Sequence, residues 1–139
     1  VTGVQTCALP IFDIREERMS DAMLKIHIPG LGVLHHFTAP DMGAPHDHPW
    51  NFTSMILKGG YIEEVYRPDG ACERIHRKVG DHFAILAGHI HRIVELPEGE
   101  CWTCIDVLGP KVQEPGFYEW RDGRMFQRRW NEPEFRPVG

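Results

Sequence analysis

Two histidines separated by a single residue, His46-Asp47-His48, are the first place where the chain carries recognisable chemistry. On an extended backbone, side chains alternate sides, so this spacing aims both imidazoles the same way. Two neutral imidazoles on one face make half of a transition-metal site. With 9 histidines in the chain, such a pair also arises by chance, and the spacing alone does not decide. Cys101 and Cys104 form a Cys-x-x-Cys pair, but no second such pair exists. They fall in an expected strand, where positions three apart face opposite sides, so a zinc finger is rejected. A thioredoxin-like redox site would need a helix after the first cysteine and a parallel βαβ setting, which the sequence does not offer. Asn51-Phe52-Thr53 matches a glycosylation sequon, a chemistry that requires secretion and an exposed loop, and it is set aside.

The elements that must position these residues are short. Apolar runs at 24–28, 31–37, 52–57, 61–66, 82–86, 92–96 and 101–108 are separated by Pro29-Gly30, Gly59-Gly60, Pro68-Asp69-Gly70, Gly80, Pro97-Glu98-Gly99 and Gly109-Pro110. Many short strands at near-regular spacing, with no amphipathic helix of useful length, predict an all-β barrel or sandwich. The tail from Gly116 to Trp130 carries Phe117, Tyr118, Trp120, Phe126 and Trp130 around Asp122-Gly123, and reads as an aromatic hairpin closing the barrel. Residues 1–18 show no clean period, and Val1 to Ile11 reads as translated adapter sequence. The expectation is a non-native or disordered leader at 1–18 ahead of one domain at 19–139.

At 139 residues the chain fits a single domain that needs no disulfide staples, and its four cysteines suit reduced thiols. A net charge of -5 with scattered basic residues leaves no footprint for nucleic acid. No apolar run approaches a membrane span, and no signal peptide is evident, so a cytoplasmic location is expected.

The flanks of the histidine pair add to it. His46-Asp47-His48-Pro49 followed by Thr53 and Gly60 resembles the first cupin motif, which has two histidines, a glutamate position, six intervening residues and a glycine. Gly80, Leu86, Ala87, Gly88, His91 and Glu95 resemble the second motif, whose own letters are Gly, Pro, Gly, His and Asn. The resemblance covers roughly Leu31 to Leu108. Within the superfamily, His46-Asp47-His48-Pro49-Trp50 is similar to small stand-alone cupin-like proteins of bacteria and phages. The resemblance implies a single-domain jelly-roll barrel whose motif histidines, His46, His48 and His91, bind one divalent transition metal at the barrel mouth. Iron comes first, with zinc, nickel, manganese or copper as alternatives.

Thr53 stands where many cupins carry a glutamate ligand, and a hydroxyl is a poor substitute for a carboxylate. The expected site is then three neutral imidazoles with an open position, similar to cupins that act as thiol dioxygenases or other iron oxygenases. Glu95 lies four residues after His91 and so shares its strand face, as a partner of the site or as a rim carboxylate in water. His82 and His89 flank the second motif, and either is a candidate general base or extra ligand, or a merely packed or solvated histidine. Trp50 and Tyr61 are candidate pocket walls or core residues. Arg67 is a candidate clamp for a substrate carboxylate, or a surface arginine. The expected function is a metal-dependent oxygenase acting on a small-molecule substrate. The alternatives are a non-catalytic metal or ligand-binding module, and a metal-dependent lyase or isomerase. A homodimer is the one protein assembly allowed for.

Overall fold

The computed structural model describes residues 13–139, and among them every regular element is a strand. The twelve strands are β1 (Arg15–Ser20), β2 (Met23–Ile28), β3 (Gly32–Phe37), β4 (Phe52–Lys58), β5 (Tyr61–Tyr66), β6 (Cys72–Arg77), β7 (His82–Ile85), β8 (Ile90–Glu95), β9 (Cys101–Val107), β10 (Gly116–Arg121), β11 (Arg124–Arg129) and β12 (Arg136–Pro137). They form a six-stranded sheet in the order β1-β2-β3-β9-β4-β7 and two three-stranded sheets, β6-β5-β8 and β10-β11-β12. From β4 to β9 the chain passes repeatedly between the six-stranded sheet and the β6-β5-β8 sheet. All pairings are antiparallel. No helix here is long and apolar enough to cross a membrane.

The core lies between the sheets because each strand turns alternate residues inward. Phe37, Ile56 and Cys101 from the large sheet pack on Tyr61 and Ile93 from the facing one. A second cluster, Phe52, Ile85 and Ile105, continues it toward the other end of β4. The step from β4 to β5 is a tight turn that only glycine permits. Gly59 and Gly60 hold φ of 84° and 94°, and a Cβ on Gly60 would meet the Arg77 carbonyl oxygen at 2.5 Å.

The expected strands are present, with ends shifted by one or two residues. Besides the two-residue β12, two strands were not anticipated, β6 and β1. Both are polar along their length and sit at sheet edges, so neither has the alternation that marks a buried face. The boundary drawn at residue 18 falls inside β1, whose residues pair with β2 from Arg15↔His27 to Ser20↔Met23. The adapter-like stretch lies outside the described residues. The tail forms a hairpin in which Arg121 pairs with Arg124 across Asp122 and Gly123. Both turn residues have positive φ, as a two-residue hairpin turn requires.

Cys101 faces the core with Thr103 and Ile105, and Cys104 faces the other side of β9, as the alternation argument requires.

Candidate metal centre

His91 lies on a regular strand, but the His46-Asp47-His48 stretch does not. This corrects the expectation that the pair sits on a strand. His46 makes isolated bridges to His91 on β8 and to Phe117 on β10, and the backbone beyond it is irregular. The segment is held from both sides. His46 and His91 exchange backbone hydrogen bonds of 2.9 and 3.0 Å, the Asp47 N–H donates to the Gly116 carbonyl at 3.0 Å, and the His48 N–H donates to that of Ala87 at 3.0 Å. Gln113 donates through Nε2 to the His48 and Ala87 carbonyls at 2.9 and 3.0 Å.

Asp47, only 4% exposed, points away from its two neighbours. Its carboxylate accepts from the Gly116 N–H and from the Tyr118 hydroxyl, each at 2.6 Å. Gln127 Nε2 donates to that hydroxyl at 2.7 Å. Alternation therefore survives without a ladder, and His46 and His48 share one side because Asp47 is tied down on the other.

The three imidazoles converge. Ring centroids lie 5.4 Å apart for His46 and His48, 5.0 Å for His46 and His91, and 4.8 Å for His48 and His91. One ring nitrogen from each falls within 4.8 Å of the others. His91 Nε2 and His48 Nε2 are 3.1 Å apart.

The tautomer of His91 follows from Glu63 on β5. This carboxylate, 0% exposed, lies 3.1 Å from His91 Nδ1 and 2.8 Å from His89 Nε2 through Oε1, while Oε2 accepts from Arg77 Nε at 2.9 Å. A carboxylate only accepts, so His91 donates from Nδ1 and its Nε2 faces His48. Burial by itself would raise the Glu63 pKa, but the hydrogen bonds from His89 and His91 and the Arg77 guanidinium outweigh it and hold the group below the usual carboxylate range.

These residues fit a divalent metal. With Nδ1 committed to Glu63, His91 offers Nε2 as its ligand atom, and the place between it and His48 Nε2 suits one proton or one cation. Burial first, then the neighbouring His91, pushes the His46 pKa down to about 4, and burial with the same neighbours holds His48 well below its ordinary value. Both rings are therefore neutral at physiological pH, the form that ligates. His91 is oriented by a carboxylate behind it, as metal-binding imidazoles usually are. Glu63, His89 and His91 form a second group close enough to hold an ion, sharing His91 with the first.

The rings open onto a cavity of about 610 Å³ between the two sheets. Its walls are mostly apolar, with Phe37, Phe52, Ile85, Ile93 and Ile105 among them, and Trp50 and Tyr61 also line it. Burial raises the Tyr61 hydroxyl well above its ordinary range, and Glu63 adds to this. Four other candidates lie elsewhere. Thr53 faces outward, because Phe52, Ser54 and Ile56 take the inward positions of β4. The inward ring nearest His48 on β4 is Phe52, at 5.2 Å between centroids. His82 is exposed on the outer face of β7. Glu95 is exposed at the end of β8, where a bulge between Ile62 and Glu63 breaks the register. Arg67 is exposed in the turn after β5. His89 joins the site through Glu63.

Sequence reasoning missed Glu63, although it stands two residues after Tyr61 and shares its inward face. A carboxylate in an inward position of a central strand was the available signal. It also missed Lys25, His35, Asp41 and Thr103, which line the cavity from strands and loops distant in sequence.

No protein-family model matches the chain, and no curated protein does. Solved structures do. The chain is similar to hydroxypropylphosphonic acid epoxidase from S. wedmorenis at 10% identity and a TM-score of 0.54, over 68% of this chain and 55% of that one. It is similar to Fe(II) HppE at 12% identity and a TM-score of 0.56, over 70% of this chain and 57% of that one. It is also similar to the capsular polysaccharide assembling protein CapF from Staphylococcus aureus, at 13% identity and a TM-score of 0.53, over 73% of this chain and 31% of that one. The aligned region thus spans just over half of the first two and under a third of the last.

The chain has the cupin jelly-roll fold. At these identities the likeness carries the architecture, and function rests on the site itself.

Proposed function

We propose that this cupin is a metal-dependent enzyme that holds one divalent transition metal, iron first, through His46, His48 and His91, and acts as an oxygenase on a small organic substrate. The observation that carries the reading is the convergence of three imidazoles on a mostly apolar cavity, with His91 Nε2 fixed toward His48 by the hydrogen bond from Nδ1 to Glu63. Similarity to Fe(II) HppE adds support for iron.

A bound metal would supply a Lewis acid and, if iron, a redox centre, with coordination positions open to substrate and dioxygen. The protein supplies the rest. Glu63 holds the His91 tautomer and keeps its ring from turning. The Asp47 anchor keeps His46 and His48 on the cavity side. Phe52, Ile85 and Ile105 exclude water, which strengthens every charge interaction in the cavity.

Elemental analysis of protein purified from its own host, with no metal added, is the test. Stoichiometric iron that is lost in His46→Ala, His48→Ala and His91→Ala, and kept in His27→Ala and His76→Ala, is expected. Retention of metal in His91→Ala would end the assignment, and zinc or nickel in place of iron would favour lyase or isomerase chemistry.

A further inference from the structure

The wall formed by β2, β3 and β9 carries a second polar feature that metal binding does not use. Lys25 on β2 pairs in register with His35 on β3, and His35 pairs with Thr103 on β9. Neighbouring strands lie about 4.8 Å apart, so the three side chains form a polar stripe roughly 10 Å long. All three line the same cavity as His46, His48 and His91. The rows on either side contribute Met23 and Phe37, and His27, Val33 and Ile105, while Glu17 on β1 continues the stripe past Lys25, so the stripe crosses a face that is apolar apart from His27.

A buried polar group without a partner costs free energy, and native structures rarely leave one. Thr103 is 1% exposed, and among the described residues its hydroxyl has no hydrogen-bond partner. No described carboxylate lies within ion-pair distance of the Lys25 ammonium. Glu17, its register partner on β1, instead bonds His27 at 3.0 Å and lies 3.5 Å from Arg15. Burial draws the Lys25 pKa down, only partly offset by Glu17. His35, pushed down to about 3 by burial first and by Lys25 next, is a neutral imidazole between the two.

We propose that the Lys25–His35–Thr103 stripe is an oxyanion subsite, and that the substrate is a small organic acid whose carboxylate-like head rests there. Its apolar body crosses the cavity toward the three metal-site histidines. The subsite rests on the metal reading only for the direction in which the substrate lies. An ammonium ion and a hydroxyl match two oxygens of one head group, and the head satisfies both groups at once.

Hexanoate and hexanamide, matched in shape and differing in charge, are the probes, titrated by calorimetry into metal-loaded and chelator-treated protein. Hexanoate should bind at least about tenfold more tightly than hexanamide in both forms. Lys25→Met should reduce that preference to within about twofold with metal content unchanged, Lys25→Arg should keep it, and Thr103→Val should weaken hexanoate alone. Equal affinity for the two probes, binding of neither, or a preference surviving in Lys25→Met would overturn the subsite. So would a preference seen only with metal present, because the metal itself would then hold the head group. A preference retained by protein that binds no metal would sustain the subsite while removing the metal reading.

Discussion

His91 and the His46-Asp47-His48 segment present imidazoles to the same point but are held there by opposite means. His91 is one residue of a continuous strand. Its backbone is fixed by pairing with β5, and its ring by the buried Glu63. His46 and His48 lie on a segment with isolated bridges at His46 alone, and their direction is set by Asp47, which anchors to Gly116 and Tyr118 some 70 positions along the chain. One half of the site is local sheet geometry with a carboxylate behind it. The other half depends on the C-terminal hairpin being docked. Three imidazoles can thus be brought to one point by a rigid strand and a clamped loop, with a buried carboxylate fixing each.

The largest expected effect breaks the rigid half. Glu63→Ala leaves the half-buried Arg77 without its counter-charge and His89 and His91 without their shared acceptor, and should cost about 3 kcal/mol in urea unfolding along with most of the metal affinity. Glu63→Gln keeps the volume and should lose about 10–100-fold in metal affinity at smaller stability cost. A Glu63→Ala protein as stable as the parent would show that the cluster does not hold β5 to β8.

The clamped half should break more gently. Asp47→Ala removes two charge-assisted hydrogen bonds and should cost about 2–4 kcal/mol, with metal affinity falling although no ligand has been changed. Tyr118→Phe removes one of them and should cost about 1–2 kcal/mol. Unchanged metal titrations in Asp47→Ala would mean that the hairpin does not position His46 and His48.

Acid should act on the clamped half and on the β3 wall of the cavity. His46 and His35, held down to about 4 and about 3, stay neutral in the folded metal-free protein, whereas in the unfolded chain they take up protons near pH 6.5. Their neutral burial is therefore fully tolerated above pH 6.5. As pH falls below that value the unfolded state binds more protons, and each such histidine removes about 1.4 kcal/mol of stability per pH unit until its folded pKa is reached. Chemical denaturation between pH 7 and 5 should show this slope, flattened in His35→Gln. A stability independent of pH over that range would contradict the depressed values.

The smallest effect is an expected absence. Thr53→Glu places a carboxylate on the outer face of β4, so metal affinity should stay within about twofold of the parent by competition titration. Tightened binding there would mean that β4 is shifted by one residue in solution.

Legible in the sequence alone were the all-β class, most strands, the hairpin turn at Asp122-Gly123 and the shared direction of His46 and His48. These follow from local rules of side-chain alternation and turn chemistry, whereas His91 joined the pair only through the resemblance to the second cupin motif. Sequence reasoning misplaced Thr53, His82, Glu95 and Arg67, because whether a residue faces inward depends on register and bulges that only pairing with a neighbouring strand establishes. Lys25, His35 and Thr103 stand far apart in the chain and form one stripe only when β2, β3 and β9 pair in register. Glu63 reads in sequence as an ordinary charged residue of an amphipathic strand. Its role was decided by the tertiary structure, because a buried carboxylate is tolerated only where Arg77 from β6 and His89 and His91 from the start of β8 meet to satisfy it.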